Sequence, residues 1–199
     1  MIAVSKTKST QDIEKVYHEG QRDFGENYAD ELIQKARSLK HLKDINWVFI
    51  GPLQSNKIQR LVEVCSEIQT VSSLKHARYI QRYASELHKT AFPVWIQVNI
   101  ASEAQKHGVA LSELQELQTF IESQCPNLEL NGIMVVPPAS YSDDAYPDSA
   151  PKLYMEIAST AKSVGKGKIS LGMTSDLNIA VAAGSHCVRI GTAVFGRRN

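Results

Sequence analysis

Apolar residues in this chain gather into eight short runs, separated by stretches in which they recur every three or four positions. The runs at residues 2–5, 23–26, 47–50, 68–71, 94–100, 130–136, 168–171 and 187–190 predict strands. Between them, Ile58, Leu61 and Val62, then Tyr79, Ile80, Tyr83 and Leu87, then Leu111, Leu114, Leu117 and Ile121 fall at helical spacing. Seven helices thus separate eight strands. The run Val94-Trp95-Ile96-Gln97-Val98 has too few polar positions for a half-solvated strand, so it predicts a parallel sheet covered by helices on its outer face. Eight β/α units predict closure into a (β/α)8 TIM barrel. The competitor is an open doubly wound sheet, whose usual dinucleotide signature, G-x-G-x-x-G after the first strand, is missing here. Ser73 is placed to cap a helix, and Gly165 and Gly184 sit where helices should stop. Residues 137–147 are dominated by prolines and short polar residues and predict a mobile loop after the sixth strand, either a lid or docking surface or a solvated insertion.

Composition narrows the class. A chain of 199 residues predicts a single domain over 1–199. Its 22 basic and 21 acidic residues give a formal charge of +1, which points to neither nucleic acid nor an anionic membrane surface. The longest apolar runs fall far short of the ~20 residues a membrane helix needs, and no leader pattern is visible, so a soluble cytoplasmic protein is expected. Cys65, Cys125 and Cys187 are odd in number and widely spaced, which predicts no disulfide framework, and the six histidines lack metal-binding spacing.

In a parallel α/β barrel the working face lies at the carboxyl ends of the strands. The residues collected there are Lys6, then Glu26 and Asn27, then Gly51 to Lys57, then Asn99 with Glu103 and Lys106, then Met173, Thr174, Ser175 and Asp176, then Arg189, Ile190, Gly191 and Thr192. A lysine among apolar neighbours can lose its proton and attack a carbonyl. Loops after the seventh and eighth strands of barrels commonly bind phosphate, and Thr174, Ser175, Gly191 and Thr192 supply hydroxyls and backbone amides there. Gly191 is expected to let the backbone approach an anion closely, and residues 192–196 to begin a short helix. Arg189 lies within an apolar strand, where a guanidinium needs a ligand or a carboxylate. Together, a nucleophilic lysine, a phosphate cradle and a buried arginine point to pyridoxal 5'-phosphate (PLP), with the arginine beside the ring nitrogen. An arginine there disfavours protonating that nitrogen and makes strong carbanion chemistry less favourable. The run Gly165-Lys166-Gly167-Lys168 lacks Walker spacing and reads as a solvated connection, whereas Gln54-Ser55-Asn56-Lys57 could open a helix that binds an anion or a client protein.

The segments Ala3-Val4-Ser5-Lys6-Thr7-Lys8, Phe24-Gly25-Glu26-Asn27-Tyr28, Phe49-Ile50-Gly51-Pro52-Leu53-Gln54-Ser55-Asn56-Lys57, Val98-Asn99-Ile100 with Glu103, Lys106 and Gly108, Ser170-Leu171-Gly172-Met173 and Val188-Arg189-Ile190-Gly191-Thr192 together resemble the pyridoxal phosphate homeostasis proteins over nearly the whole chain. That resemblance implies a fold related to the N-terminal barrel of alanine racemase and PLP held as an internal aldimine on Lys6. It implies Asn27 near the cofactor ring, Arg189 at the pyridine nitrogen, and Thr174, Gly191 and Thr192 around the phosphate. Ile50, Met173 and Ser175 complete the expected cofactor-binding set. Where the family has a serine after Gly-Met, this chain has Thr174 followed by Ser175, leaving open which hydroxyl meets the phosphate. The family also carries a helix ahead of the first strand, whereas this chain opens at Met1 almost directly on it. Either the start is truncated or part of the barrel wall is left exposed; the latter predicts an apolar patch, and lower stability than a full-length relative is expected.

The resemblance implies a monomeric carrier that stores, buffers or delivers PLP to PLP-dependent client enzymes without turnover. The competing enzyme reading, a weak amino-acid racemase, needs acid–base groups on both faces of a carbanion. Lys6 serves one face, and Tyr28 is the conceivable candidate for the other. A third reading, an aldolase acting on a phosphorylated sugar through Lys6, is set apart by lacking a bound chromophore.

Overall fold

In the computed structural model, which describes residues 1–100, 107–147 and 149–196, strands and helices alternate along the chain. The strands are β1 (Ile2–Val4), β2 (Asp23–Glu26), β3 (Asn46–Phe49), β4 (Glu67–Val71), β5 (Phe92–Val98), β6 (Leu128–Val135), β7 (Lys168–Ser170) and β8 (Arg189–Ile190). The helices are α1 (Thr10–His18), α2 (Ala29–Ser38), α3 (Ile58–Val64), α4 (Leu74–Glu86), α5 (Leu111–Gln124), α6 (Lys152–Ala161), α7 (Leu177–Ala182) and α8 (Thr192–Phe195). All strand pairs are parallel, in the order β7-β6-β5-β4-β3-β2-β1-β8. The ring closes where Ser170 bridges to Cys187, with Cys187 N–H donating to Ile169 (3.1 Å), Leu171 N–H to Cys187 (3.0 Å) and Arg189 N–H to Gly172 (2.9 Å). This is a (β/α)8 barrel.

Each expected strand is present, β2 with the expected ends and the others with ends displaced by at most two residues. β3, β4 and β6 start earlier than their apolar runs because backbone pairing continues through the polar positions Asn46, Glu67 and Glu129, and β5 starts earlier through Phe92 and Pro93, which pair with Leu128 and Glu129. The eighth run, expected at 187–190, shortens to two residues, its first half forming only the closing bridge. Among the described residues there is an eighth helix, α8, at the short helical turn expected after the last strand.

The core lies between barrel and helices. Ile13 of α1, Leu32 and Ile33 of α2, Leu61 and Val62 of α3, and Tyr154 and Ile157 of α6 are buried against outward-facing strand residues such as Ala3, Phe24 and Ile133. Each fully buried large side chain contributes about 1.5–3 kcal/mol. Two helical faces differ from the periodic reading. The buried stripe of α4 is Ala77, Ile80 and Ala84, while Tyr79 and Tyr83 stack on its surface and Leu87 is exposed. In α5, Leu114, Leu117 and Ile121 are buried, whereas Leu111 opens the helix and faces solvent. Apolar residues at the margin of a stripe satisfy the spacing while being only partly buried, as Tyr79 and Tyr83 are, or exposed, as Leu87 and Leu111 are.

Two glycines are required by close approach. A Cβ on Gly132 would lie 1.9 Å from the Lys168 carbonyl oxygen, beside the register shift between β5 and β6. A Cβ on Gly51 would lie 1.8 Å from the Asn27 carbonyl oxygen, so the turn after β3 can pack against the end of β2 only without a side chain. Ser73 caps α4 by accepting from His76 N–H, as expected. Gly165 and Gly184 have positive φ at the turns after α6 and α7.

The proline-rich segment expected to be mobile is tied down at its centre. Asp143 N–H donates to the Ser175 carbonyl (2.8 Å), and the Asp143 carboxylate accepts from Asn178 and Ile179 N–H (3.0 Å each). Tyr141 stacks on Tyr146 and tilts against Tyr154. The large exposed apolar side chains among the described residues include Met1, just ahead of β1, and Tyr28, Leu87, Leu111, Val136, Met155 and Val181.

Candidate functional site

At the carboxyl ends of the strands lies a cavity of about 520 Å³, lined by Val4, Lys6, Asn27, Ile50, Met134, Val136, Met173, Thr174, Ser175, Arg189, Gly191 and Thr192. Period-two alternation explains this lining: Val4 and Lys6, then Arg189 and Gly191, turn inward, while Ala3 and Ser5 turn toward the helices. All nine residues expected from the sequence to form a cofactor site are therefore brought together. A smaller hollow of about 240 Å³ adjoins it through Asn27, Ile50 and Val136 and extends to Asn99 and His107. Glu103 and Lys106, also singled out from the sequence, lie outside the described residues.

The Lys6 wall rests on a buried ionic cluster. Lys35 of α2 is 6% exposed, and its Nζ lies 2.7 Å from each of Glu26 Oε1, Glu31 Oε1 and the Ser5 carbonyl oxygen. Ser5 Oγ also donates to Glu26 Oε1 (2.7 Å), and Thr7 N–H donates to Glu31 Oε1 (2.7 Å). Glu26 Oε2 is buried without a partner. Burial raises the Glu26 pKa, outweighing the opposing pull of Lys35 and Ser5.

On β8, the strand beside β1, Arg189 is buried and donates from Nη1 to Ser170 Oγ (2.7 Å) and from Nη2 to the Val135 carbonyl (2.8 Å). Ser170 Oγ passes its proton bond to Gln69 Oε1 (2.7 Å), and Gln69 Nε2 donates to Glu67 Oε1 (2.6 Å), so polar bonds run down the barrel interior. Of the two partners expected for Arg189, a ligand or a carboxylate, these bonds supply neither, only neutral acceptors, and burial lowers the guanidinium pKa. The neighbouring loop is fixed by Asp176, which accepts from Met173 N–H (2.8 Å) and from the buried Tyr154 hydroxyl (2.6 Å). Desolvation and this hydrogen bond push the Tyr154 pKa far up. Thr174, Ser175 and Thr192 remain exposed at the mouth.

The cavity fits PLP on three counts. Asn27 Oδ1 is a buried acceptor without a donor. Arg189 spends two of its five N–H groups on the protein in these bonds and lines the cavity with the guanidinium. Gly191 has φ −110, and a Cβ there would come no closer than 3.4 Å to Val4, so neither backbone strain nor a clash demands glycine, whose missing side chain leaves room in the cavity.

Comparison with known proteins agrees with this geometry. The family model "Alanine racemase, N-terminal domain" matches residues 1–199. A pyridoxal phosphate homeostasis protein of Pseudomonas aeruginosa is 37% identical over 202 residues, covering 100% of this chain and 84% of the relative. One from Caenorhabditis elegans is 36% identical over 212 residues, covering 100% and 85%. This chain belongs to the pyridoxal phosphate homeostasis family. PipY of Synechococcus elongatus, solved with PLP bound, superposes with a TM-score of 0.85 at 31% identity, covering 98% of this chain and 91% of that one. An alanine racemase of Clostridium difficile shares the fold at 14% identity, with a TM-score of 0.69 over 52% of its length.

In this family member several site features escaped the sequence reading. Lys35 and Glu31 stand four apart on a helix, the signature of an ordinary surface pair, and only the fold turns that pair inward. Val4, Met134 and Val136 read as strand residues and become cavity wall. Conversely, the amide-rich turn before α3 is not an open anion site. Lys57 Nζ is held at 2.8 Å by both oxygens of Asp30, which also takes Arg60 at 3.0 Å. Tyr28 is exposed and does not line the cavity. Lys166, in the connection before β7, pairs with Glu129 at 2.6 Å on the surface. No helix among the described residues is long and apolar enough to cross a membrane, and no cluster there could hold a metal ion.

Proposed function

We propose that this chain binds PLP reversibly and serves in PLP homeostasis, storing, buffering or delivering the cofactor, as the names of its relatives and the PLP-bound PipY structure support. The observation that carries the reading is one cavity lined by Lys6, Arg189, Asn27 and the hydroxyl-bearing turns after β7 and β8. When bound, the cofactor would supply an aldehyde able to condense with an amine with loss of one water, a step that water reverses and in which a second amine can replace the first. Lys6 provides that amine. Arg189, held by Ser170 and Val135, offers donors to an unprotonated ring nitrogen. Asn27 would offer an acceptor to the ring, Ile50 and Met173 would give it apolar contact, and Thr174, Ser175, Gly191 and Thr192 would hold the phosphate.

The role is that of a carrier, not an enzyme. Among the described residues lining the cavity, Lys6 and Arg189 are the titratable ones, and a permanently charged guanidinium is a poor partner for Lys6 in two-base racemisation. Residues 1–199 act as a single PLP-binding barrel, monomeric and cytoplasmic, that hands its cofactor to PLP-dependent client enzymes. The test is visible absorption of the purified protein with added PLP, before and after borohydride, with peptide mapping of the fixed adduct. A yellow species mapping to Lys6, without interconversion of D- and L-alanine, is expected. A colourless protein would refute the reading and favour a Lys6 aldolase, and steady alanine racemisation would refute the carrier role.

A further inference from the structure

The residue after Lys6 adopts a conformation that its type disfavours. Thr7 has φ +63, in the left-handed region where a β-branched residue is strained. The turn Ser5-Lys6-Thr7-Lys8 closes with Lys8 N–H donating to the Ser5 carbonyl (3.0 Å), which puts Lys6 at its second position and Thr7 at its third, where glycine is normally demanded. Such strain persists only where the surroundings over-determine it. Here they do: Lys8 Nζ donates to the Phe195 carbonyl (3.1 Å) at the far end of the turn, and one charged cluster holds the two peptide groups beside Lys6. Lys35 Nζ binds the Ser5 carbonyl oxygen on one side of Lys6, and Glu31, held by the same ammonium, binds Thr7 N–H on the other. Glu26 completes the grip by taking both Lys35 and Ser5 Oγ.

We propose that Lys35 is a positioning residue for Lys6: with Glu26 and Glu31 it clamps the strained turn so that the Lys6 amine enters the cavity from a fixed backbone. This rests on the reading of Lys6 as the attachment point for PLP. The cluster lies behind the barrel wall, and none of its three charged side chains lines the cavity. It therefore acts on attachment through the turn alone. A cluster that served only to join α2 to the barrel would have no reason to bracket Lys6 through both neighbouring peptide groups.

Thr7 supplies the control, because glycine adopts its backbone angle without penalty and should make the clamp dispensable. The equilibrium for PLP attachment is read by absorption in the full chain, alongside the thermal midpoint without PLP, for Glu31→Ala, Lys35→Met, Thr7→Gly and the double variant Glu31→Ala with Thr7→Gly. Glu31 is the gentler probe, since its side chain is 25% exposed and its loss leaves Lys35 paired with Glu26. Glu31→Ala is expected to weaken attachment about tenfold, the scale of a left-handed strain released, while remaining folded, and Thr7→Gly in the same chain is expected to restore most of the loss. In the cofactor-free protein, the Thr7 amide hydrogen should exchange faster in Glu31→Ala than in the parent. Unchanged attachment in a folded Glu31→Ala, a loss that Thr7→Gly does not repair, or unchanged exchange at Thr7 would each overturn the proposal. Absence of any Lys6 adduct in the parent would instead remove the PLP reading, and the cofactor-free exchange measurement would still decide the clamp.

Discussion

The two walls of the cavity are held by opposite electrostatic means. Behind Lys6, the buried pair of Glu26 and Lys35 and the partly exposed Glu31 hold two peptide groups, Lys35 taking the Ser5 carbonyl and Glu31 the Thr7 N–H. Behind Thr174 and Ser175, the turn is held mostly by neutral donors. Asp176 gathers the Tyr154 hydroxyl and Met173 N–H, while Asp143 reaches across from the β6–α6 loop to take two N–H groups of α7. A buried ion pair carries a large desolvation cost and is therefore intolerant of losing one partner. A turn held by separate hydrogen bonds gives way one bond at a time. The first arrangement suits a residue that must form and release a covalent bond from one position. The second suits a mouth that must admit and release a phosphate.

That contrast can be broken most completely at Lys6 itself. Lys6→Ala should abolish the borohydride-fixed adduct while leaving the fold intact, as read by absorption, mass mapping and thermal midpoint, because the half-buried side chain faces the cavity and not the core. The next effect is Lys35→Met, which strands Glu26 without its counter-charge and should cost about 3–5 kcal/mol in denaturant unfolding. On the opposite wall, Tyr154→Phe leaves one oxygen of Asp176 without its donor and should cost about 1–3 kcal/mol, less than the loss at Lys35. Equal costs at the two sites would erase the distinction drawn between the walls. Asp143→Ala, which removes a remote cap from α7, should cost about 1 kcal/mol and speed PLP release more than it slows attachment.

The smallest effect is a slope. Burial lifts the Glu26 pKa in the folded state above the ordinary value of 4.5, so the folded form binds this proton more tightly than the unfolded chain does. The group's contribution to stability is then fully present below pH 4.5 and is lost as pH rises through the raised folded value. Glu26→Gln removes that loss, so the stability of this variant relative to the parent should climb between pH 4.5 and neutrality. A flat difference between the two thermal-midpoint curves would show that the Lys35 charge fully offsets the burial of Glu26.

Much of this arrangement was legible in the sequence, and the reasons differ by feature. Continuous apolar runs alternating with helical spacing determined the barrel, because a strand buried on both faces and a helix buried on one leave different periodicities. Chemistry-bearing residues immediately after the strands determined the candidate site, since the carboxyl ends of parallel strands open on one face. The boundaries were less legible, because polar residues such as Glu67 and Asn46 join a ladder through backbone groups that carry no side-chain signature. Three things were decided only in three dimensions. Arg189 gained the neutral partners Ser170 and Val135, the first 19 and the second 54 residues away, so no local pattern announced them. The proline-rich loop gained its anchor on α7 through Asp143, 35 residues from Asn178. Lys35, in sequence one half of a common helix-surface pair, became the centre of a buried clamp because the β1–β2 register and the packing of α2 set Ser5, Glu26 and Glu31 around a single ammonium. Periodicity is a property of neighbours along the chain, and it fixed the barrel; burial of a charge depends on what distant segments bring to it, and only the folded structure could assign it.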